Sequence, residues 1–119
     1  MNKAGARLQI DESNDVTVVA FHGRLDLEGV DEVEEAFRAA APGARRLVID
    51  LNEVDYVSSS AIRMFLSKAR KIRSDGGQLA LCRLQPLVHN VFQATKLFQI
   101  LPIVTTRDEA VEQLRRVVS

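Results

Sequence analysis

Cysteine is almost missing from this chain: Cys82 is the only one in 119 residues, so no disulfide can form within it. That usage suits a reducing compartment. Net charge is missing too. Sixteen basic residues balance sixteen acidic ones, so no global field draws nucleic acid or an anionic membrane. No apolar run approaches the length of a membrane span, and the opening MNKAGARLQI lacks the apolar core of a signal peptide. These absences lead us to expect a cytoplasmic protein with no direct nucleic-acid contact and no membrane insertion.

Catalytic equipment is equally sparse. Gly76-Gly77 is an isolated pair at a turn and not part of a phosphate loop. His22 and His89 lie far apart, and neither has the Cys or His spacing of a metal site. Cys82 closes an apolar strand and reads as a small buried filler. No Ser/His/Asp set assembles, so the expectation is a protein that is not an enzyme and carries no cofactor or metal. Asp50 ends an apolar strand as a phospho-accepting aspartate does in response-regulator receivers. The acidic pair and the lysine that such chemistry requires are missing, which leaves Asp50 as a loop-capping residue.

What is present is a well-patterned globular chain, 46% hydrophobic and 27% charged. Its length fits one domain, residues 1–119, without internal repeats. Residues 7–10 and 16–22 read as strands joined by a polar turn, the second apolar on both faces and central. Gly23-Arg24-Leu25-Asp26 leads to a helix over 27–40, with Val30, Val33, Phe37 and Ala40 as its stripe and Ala41-Pro42-Gly43 as its stop. Asp31, Glu32, Glu34 and Glu35 crowd its first half, where the helix dipole favours negative charge. Leu47-Val48-Ile49 is a strand closed by Asp50. Ile62, Phe65, Leu66, Ala69 and Ile72 form the next helical stripe, which ends in Lys71-Ile72-Arg73. Gln78 to Cys82 is a strand. Pro86 opens a helix carrying Leu87, Val88, Val91 and Phe92, and Thr95-Lys96 ends it. Leu97 and Phe98 pack the link to a strand over 100–104. Thr106 caps a last helix with Ala110, Leu114 and Val117 or Val118 as its stripe. The order β-β-α-β-α-β-α-β-α predicts an α/β fold, a mixed sheet opened by a hairpin with helices packed against it.

Ser58-Ser59-Ser60 sits between a strand and a helix, at the edge where open α/β sheets usually bind. Taken locally, the triplet is a helix cap or a phosphoryl acceptor. Val54-Asp55-Tyr56-Val57-Ser58-Ser59-Ser60-Ala61-Ile62 resembles the signature of STAS domains, the anti-sigma factor antagonist family. Gly23-Arg24-Leu25-Asp26 resembles that family's G-x-L-D turn, Gly76-Gly77 its later turn, and Pro86 through Phe98 its third helix and exit. Ser58 stands where the family usually has Asp, and Ala61-Ile62-Arg63 replaces Gly-Leu-Gly.

The resemblance implies a single STAS domain that binds an anti-sigma factor which is also a serine kinase. Reversible phosphorylation of Ser59 would control that binding, and a serine phosphatase would reset it. The alternatives are a phosphorylation-independent scaffold or transporter-accessory STAS domain, or a module binding a small ligand or nucleotide. A homodimer is compatible with either. Geometry assigns Ser58 to the helix cap and Ser60 to the first turn, pointing to the sheet or a neighbouring loop. Ser59 is left projecting outward. Arg63, Met64, Ser67 and Lys68 lie off the apolar stripe and are expected to face solvent. With Asp26 and the three serines they form the expected partner-binding surface.

Overall fold

The computed structural model describes residues 5–13, 15–40 and 45–116. Strand β1 (Arg7–Ser13) and strand β2 (Val16–His22) form an antiparallel hairpin paired from Arg7 with His22 to Ser13 with Val16. The strand runs three residues beyond the expected boundary. Asp11 and Glu12 are exposed on an edge strand, so their polarity ends no pairing. Asp15 turns the chain at φ +67°, a conformation that aspartate tolerates better than most residues.

Strand β3 (Arg46–Glu53) joins β2 in parallel, followed by β4 (Gln78–Cys82) and β5 (Ile103–Val104), giving the order β1-β2-β3-β4-β5. β2 and β3 are central and apolar on both faces. Val19, Phe21, Leu47, Ile49 and Leu51 pack into the larger core, and Val16, Val18 and Val48 into the smaller one. β5 is shorter than expected. Pro102 has no N–H to donate and only its carbonyl joins the sheet, accepting from Leu81 N–H at 2.8 Å.

Helices α1 (Leu27–Ala39), α2 (Ser59–Ser74) and α3 (Pro86–Ala94) contribute to the larger core. Among the described residues, helix α4 (Arg107–Arg116) alone covers the opposite face, with Ala110, Val111 and Leu114. Phe21, Phe37 and Phe65 meet edge to face, with centroids 5.1 to 6.0 Å apart, and tie β2, α1 and α2 together. All four stripe residues of α1 are buried. The predicted helix stop at 41–43 and the stripe positions Val117 and Val118 lie outside the described residues, as does the side chain of Phe98.

Three expectations need correction. Met64 is only 7% exposed, because α2 packs against α1 as well as against the sheet and so buries a second line of side chains. Ile62 and Leu66, assigned to the core stripe, are correspondingly half-buried. Leu87 is 71% exposed, since α3 is short and buries only Val88 and Phe92 fully.

α4 starts with a reciprocal cap. Thr106 Oγ1 accepts from Glu109 N–H at 3.0 Å, and Glu109 Oε1 accepts from the N–H groups of Thr105 and Thr106.

Candidate functional site

Two loops at the carboxyl end of the sheet are fastened to each other. Gly23 N–H donates to Glu53 O at 3.1 Å, Leu25 N–H to Tyr56 O at 3.0 Å, and Ser58 N–H to Leu25 O at 2.9 Å. Leu25 and Val57 thereby form one parallel bridge, and both side chains are buried. Gly23 is at φ +105°, where a side chain would strain the turn. The strand β2 and strand β3 exits therefore travel together to adjacent helix starts.

Each start is capped from its own loop. Asp26 Oδ1 accepts from Gly29 N–H at 2.8 Å and Ser58 Oγ from Ala61 N–H at 3.2 Å. Gly29 has no room for more: a Cβ there would stand 2.0 Å from Arg24 O. The Arg24 guanidinium lies 4.1 Å over the Tyr56 ring, and its Nε is 3.4 Å from Asp26 Oδ2. The N-termini of α1 and α2 thus sit side by side, and both dipoles favour an anion at this edge.

Ser58 and Ser59 sit as expected, whereas Ser60 faces the α1–α2 groove and not the sheet or a neighbouring loop. Ser58 is half-buried and committed to its cap. Ser59 is exposed, and its hydroxyl has no hydrogen-bond partner among the described residues. Ser60 is half-buried and lines a groove of about 780 Å³ between α1 and α2. Arg63 and Ser67 are exposed on the rim of that groove, and Met64 lies in its floor. Lys68 is not a free surface cation. Its Nζ donates to Ala40 O at 3.1 Å and Arg38 O at 3.3 Å, capping the end of α1, and lies 5.3 Å from the Phe37 ring centroid. Burial, and then the charge of Lys71, hold its pKa below the ordinary lysine value.

Sequence reasoning missed a second charged centre, on the α4 face. Asp50 is 1% exposed and accepts from Arg83 and Arg107, each through two guanidinium nitrogens, at 2.8 to 3.2 Å. It also accepts from Asn52 N–H at 3.0 Å, the loop-capping contact that the sequence suggested. Burial pushes the Asp50 pKa up, but the bonds from Arg83, Asn52 N–H and Arg107 together hold it below the ordinary aspartate value. With both oxygens taken, Asp50 offers no free phosphoryl acceptor. Arg83 reaches it from a left-handed backbone, φ +57°, unusual for a residue other than glycine. That conformation and Arg107, 57 residues away in sequence, leave no local signal. Burial first, and then the Asp50 charge, push the Cys82 thiol up to about 12, which makes it inert as a nucleophile at neutral pH. His22 lines a small cavity of about 140 Å³ together with Asp50, Arg83 and Arg107, and its buried Nε2 has no partner among the described residues.

The mixed five-stranded sheet and its bonded pair of helix starts define a STAS-type α/β domain. The sequence profile of the STAS domain matches residues 7–110. BtrV of Bordetella bronchiseptica, named as a candidate anti-sigma factor antagonist, is 30% identical over 105 residues, 87% of this chain and 90% of its own. The chain belongs to the STAS domain family, among the anti-sigma factor antagonists. The crystal structure of an anti-sigma factor antagonist from Mycobacterium paratuberculosis shares the fold with a TM-score of 0.85, at 23% identity over 93% of this chain and 95% of that one. SpoIIAA is similar in its unphosphorylated form, with a TM-score of 0.76 at 21% identity over 95% of this chain and all of that one. Its phosphorylated form gives 0.68, also at 21% identity, over 92% and 100%.

Proposed function

We propose that this chain is a cytoplasmic switch protein whose unphosphorylated Ser59 face binds an anti-sigma factor that is also a serine kinase. In the switching step the γ-phosphoryl group of ATP passes to Ser59 Oγ, ADP leaves, and the hydroxyl proton goes to a base of the kinase. The partner supplies the nucleotide, the metal and the catalytic groups; this chain supplies the hydroxyl and the docking face. A serine phosphatase restores the binding form.

One observation carries this reading: Ser59 is the exposed, unengaged hydroxyl of the triplet, at the edge where two helix N-termini meet. That SpoIIAA is known in phosphorylated and unphosphorylated forms supports it. A phosphate adds roughly −1.5 to −2 charge, which a helix N-terminus tolerates. The modification would therefore leave the fold intact and act on the interface.

Ser59→Asp tests this directly. Affinity for the anti-sigma factor should fall, while circular dichroism and melting temperature stay close to wild type. A variant that unfolded would make Ser59 a structural residue and refute the switch.

A further inference from the structure

The balanced net charge of the chain conceals a steep local separation. α1 carries Glu28, Asp31, Glu32, Glu34 and Glu35 against the single cation Arg38, a net of −4. α2 carries Arg63, Lys68, Arg70, Lys71 and Arg73 with no acidic residue, a net of +5. The two helices flank the groove of about 780 Å³, and among the described residues no ion pair crosses it. Glu34 pairs with Arg38 within α1 at 3.9 Å, and Lys71 with Asp75 at the end of α2 at 3.1 Å. Asp31 and Arg63, on opposite rims, have no ion pair among the described residues. The floor is apolar: Val30, Phe37, Met64 and Ile72. Leu27, which also lines the groove, is 65% exposed.

We propose that this groove receives an amphipathic helix of the anti-sigma partner, its acidic flank over α2 and its basic flank over α1. The inference rests on the function proposed above and extends it from the Ser59 edge along the length of α2. An apolar floor between rims of opposite sign is the complement of a helix with an apolar stripe and differently charged flanks. α2 has 16 residues and is about 24 Å long, which matches a partner helix of about four turns. The groove also couples to the switch. Arg63 stands four residues after Ser59 on α2, within reach of a phosphate placed there. A phosphorylated Ser59 would engage Arg63 and repel the acidic flank at one end of the bound helix.

The test uses each serine-kinase anti-sigma factor of the source genome, titrated by calorimetry against the full chain at low and high salt. Asp31→Lys and Lys71→Glu reverse the two rims, while Glu35→Lys and Arg70→Glu make the same charge changes outside the groove. Each rim reversal should weaken binding by about three- to tenfold and flatten its salt dependence. The two controls should leave binding within about twofold. Binding strengthened by Asp31→Lys would mean that an acidic surface sits on α2 alone, and would overturn the groove assignment. Equal losses in rim variants and controls would overturn it as well. A wild type that self-associates, and loses self-association on Asp31→Lys, would give the groove to a second copy of the chain. If no anti-sigma factor binds wild type, the proposed function itself fails. If one binds and the rim variants match wild type, only the groove fails.

Discussion

Replacing Asp50 with Asn removes one charge and one acceptor from a side chain that is 1% exposed, with little change of shape. The amide oxygen can keep the bond from Asn52 N–H, but it cannot accept from both Arg83 and Arg107 as the carboxylate does. Breaking a fully buried pair costs about 3–5 kcal/mol, largely because a charge is left without its partner. Here the two arginine side chains are 40% and 34% exposed and can recover water. The expected loss is therefore about 2–3 kcal/mol, or about 10 °C in melting temperature for a domain of this size. The sign of the pH dependence follows from the direction of the shift. Asp50 is held below its ordinary value of 3.8, so its contribution is complete above that value and is lost as pH falls through the lower folded value. The gap between wild type and Asp50→Asn should stay constant from about pH 5 to 8 and narrow below pH 3.8. Urea unfolding across that range measures it. A variant within about 0.5 kcal/mol of wild type at pH 7 would refute the reading of Asp50 as a buried carboxylate stabilised by its bonds from Arg83 and Arg107.

Ser58→Ala should cost about 1 kcal/mol, the loss of a helix N-cap, while leaving phosphate incorporation intact; thermal melts and mass spectrometry read the two separately. Gly29→Ala places a Cβ against Arg24 O and should cost about 2 kcal/mol or more by urea unfolding, loosening the Asp26 loop. Cys82 is fully buried with its thiol pKa raised, so native protein at pH 7.5 should resist iodoacetamide and react only once unfolded.

The order of elements was legible because each strand and helix carries its own period, bounded by turn residues such as Gly23, Asp75-Gly76-Gly77 and Pro86. The caps were legible too: Ser58 and Thr106 do what their positions before an apolar stripe announced. Met64 was misplaced because periodicity identifies one buried stripe and cannot show that a second helix will cover its flank. Leu87 shows the converse. A hydrophobic residue in register with a stripe stays exposed where the helix is too short to meet a neighbour. The Asp50 centre was out of reach because Arg83 and Arg107 follow different strands and converge only once the sheet order is known. The candidate edge was legible in part. The triplet and the Gly23–Asp26 turn pointed to it, whereas the backbone bonds that join the two loops appear only in three dimensions.

Whether Ser59 is the switch is decided by phosphate incorporation. Wild type, Ser58→Ala, Ser59→Ala and Ser60→Ala would each be incubated with ATP, Mg²⁺ and a serine-kinase anti-sigma factor that binds the wild type, then mapped by mass spectrometry. One phosphate should appear on Ser59 of wild type, persist in the Ser58 and Ser60 variants, and be absent from Ser59→Ala. Incorporation that survives in Ser59→Ala and is lost in Ser58→Ala would contradict the account, as would a wild type that binds its partner and accepts no phosphate.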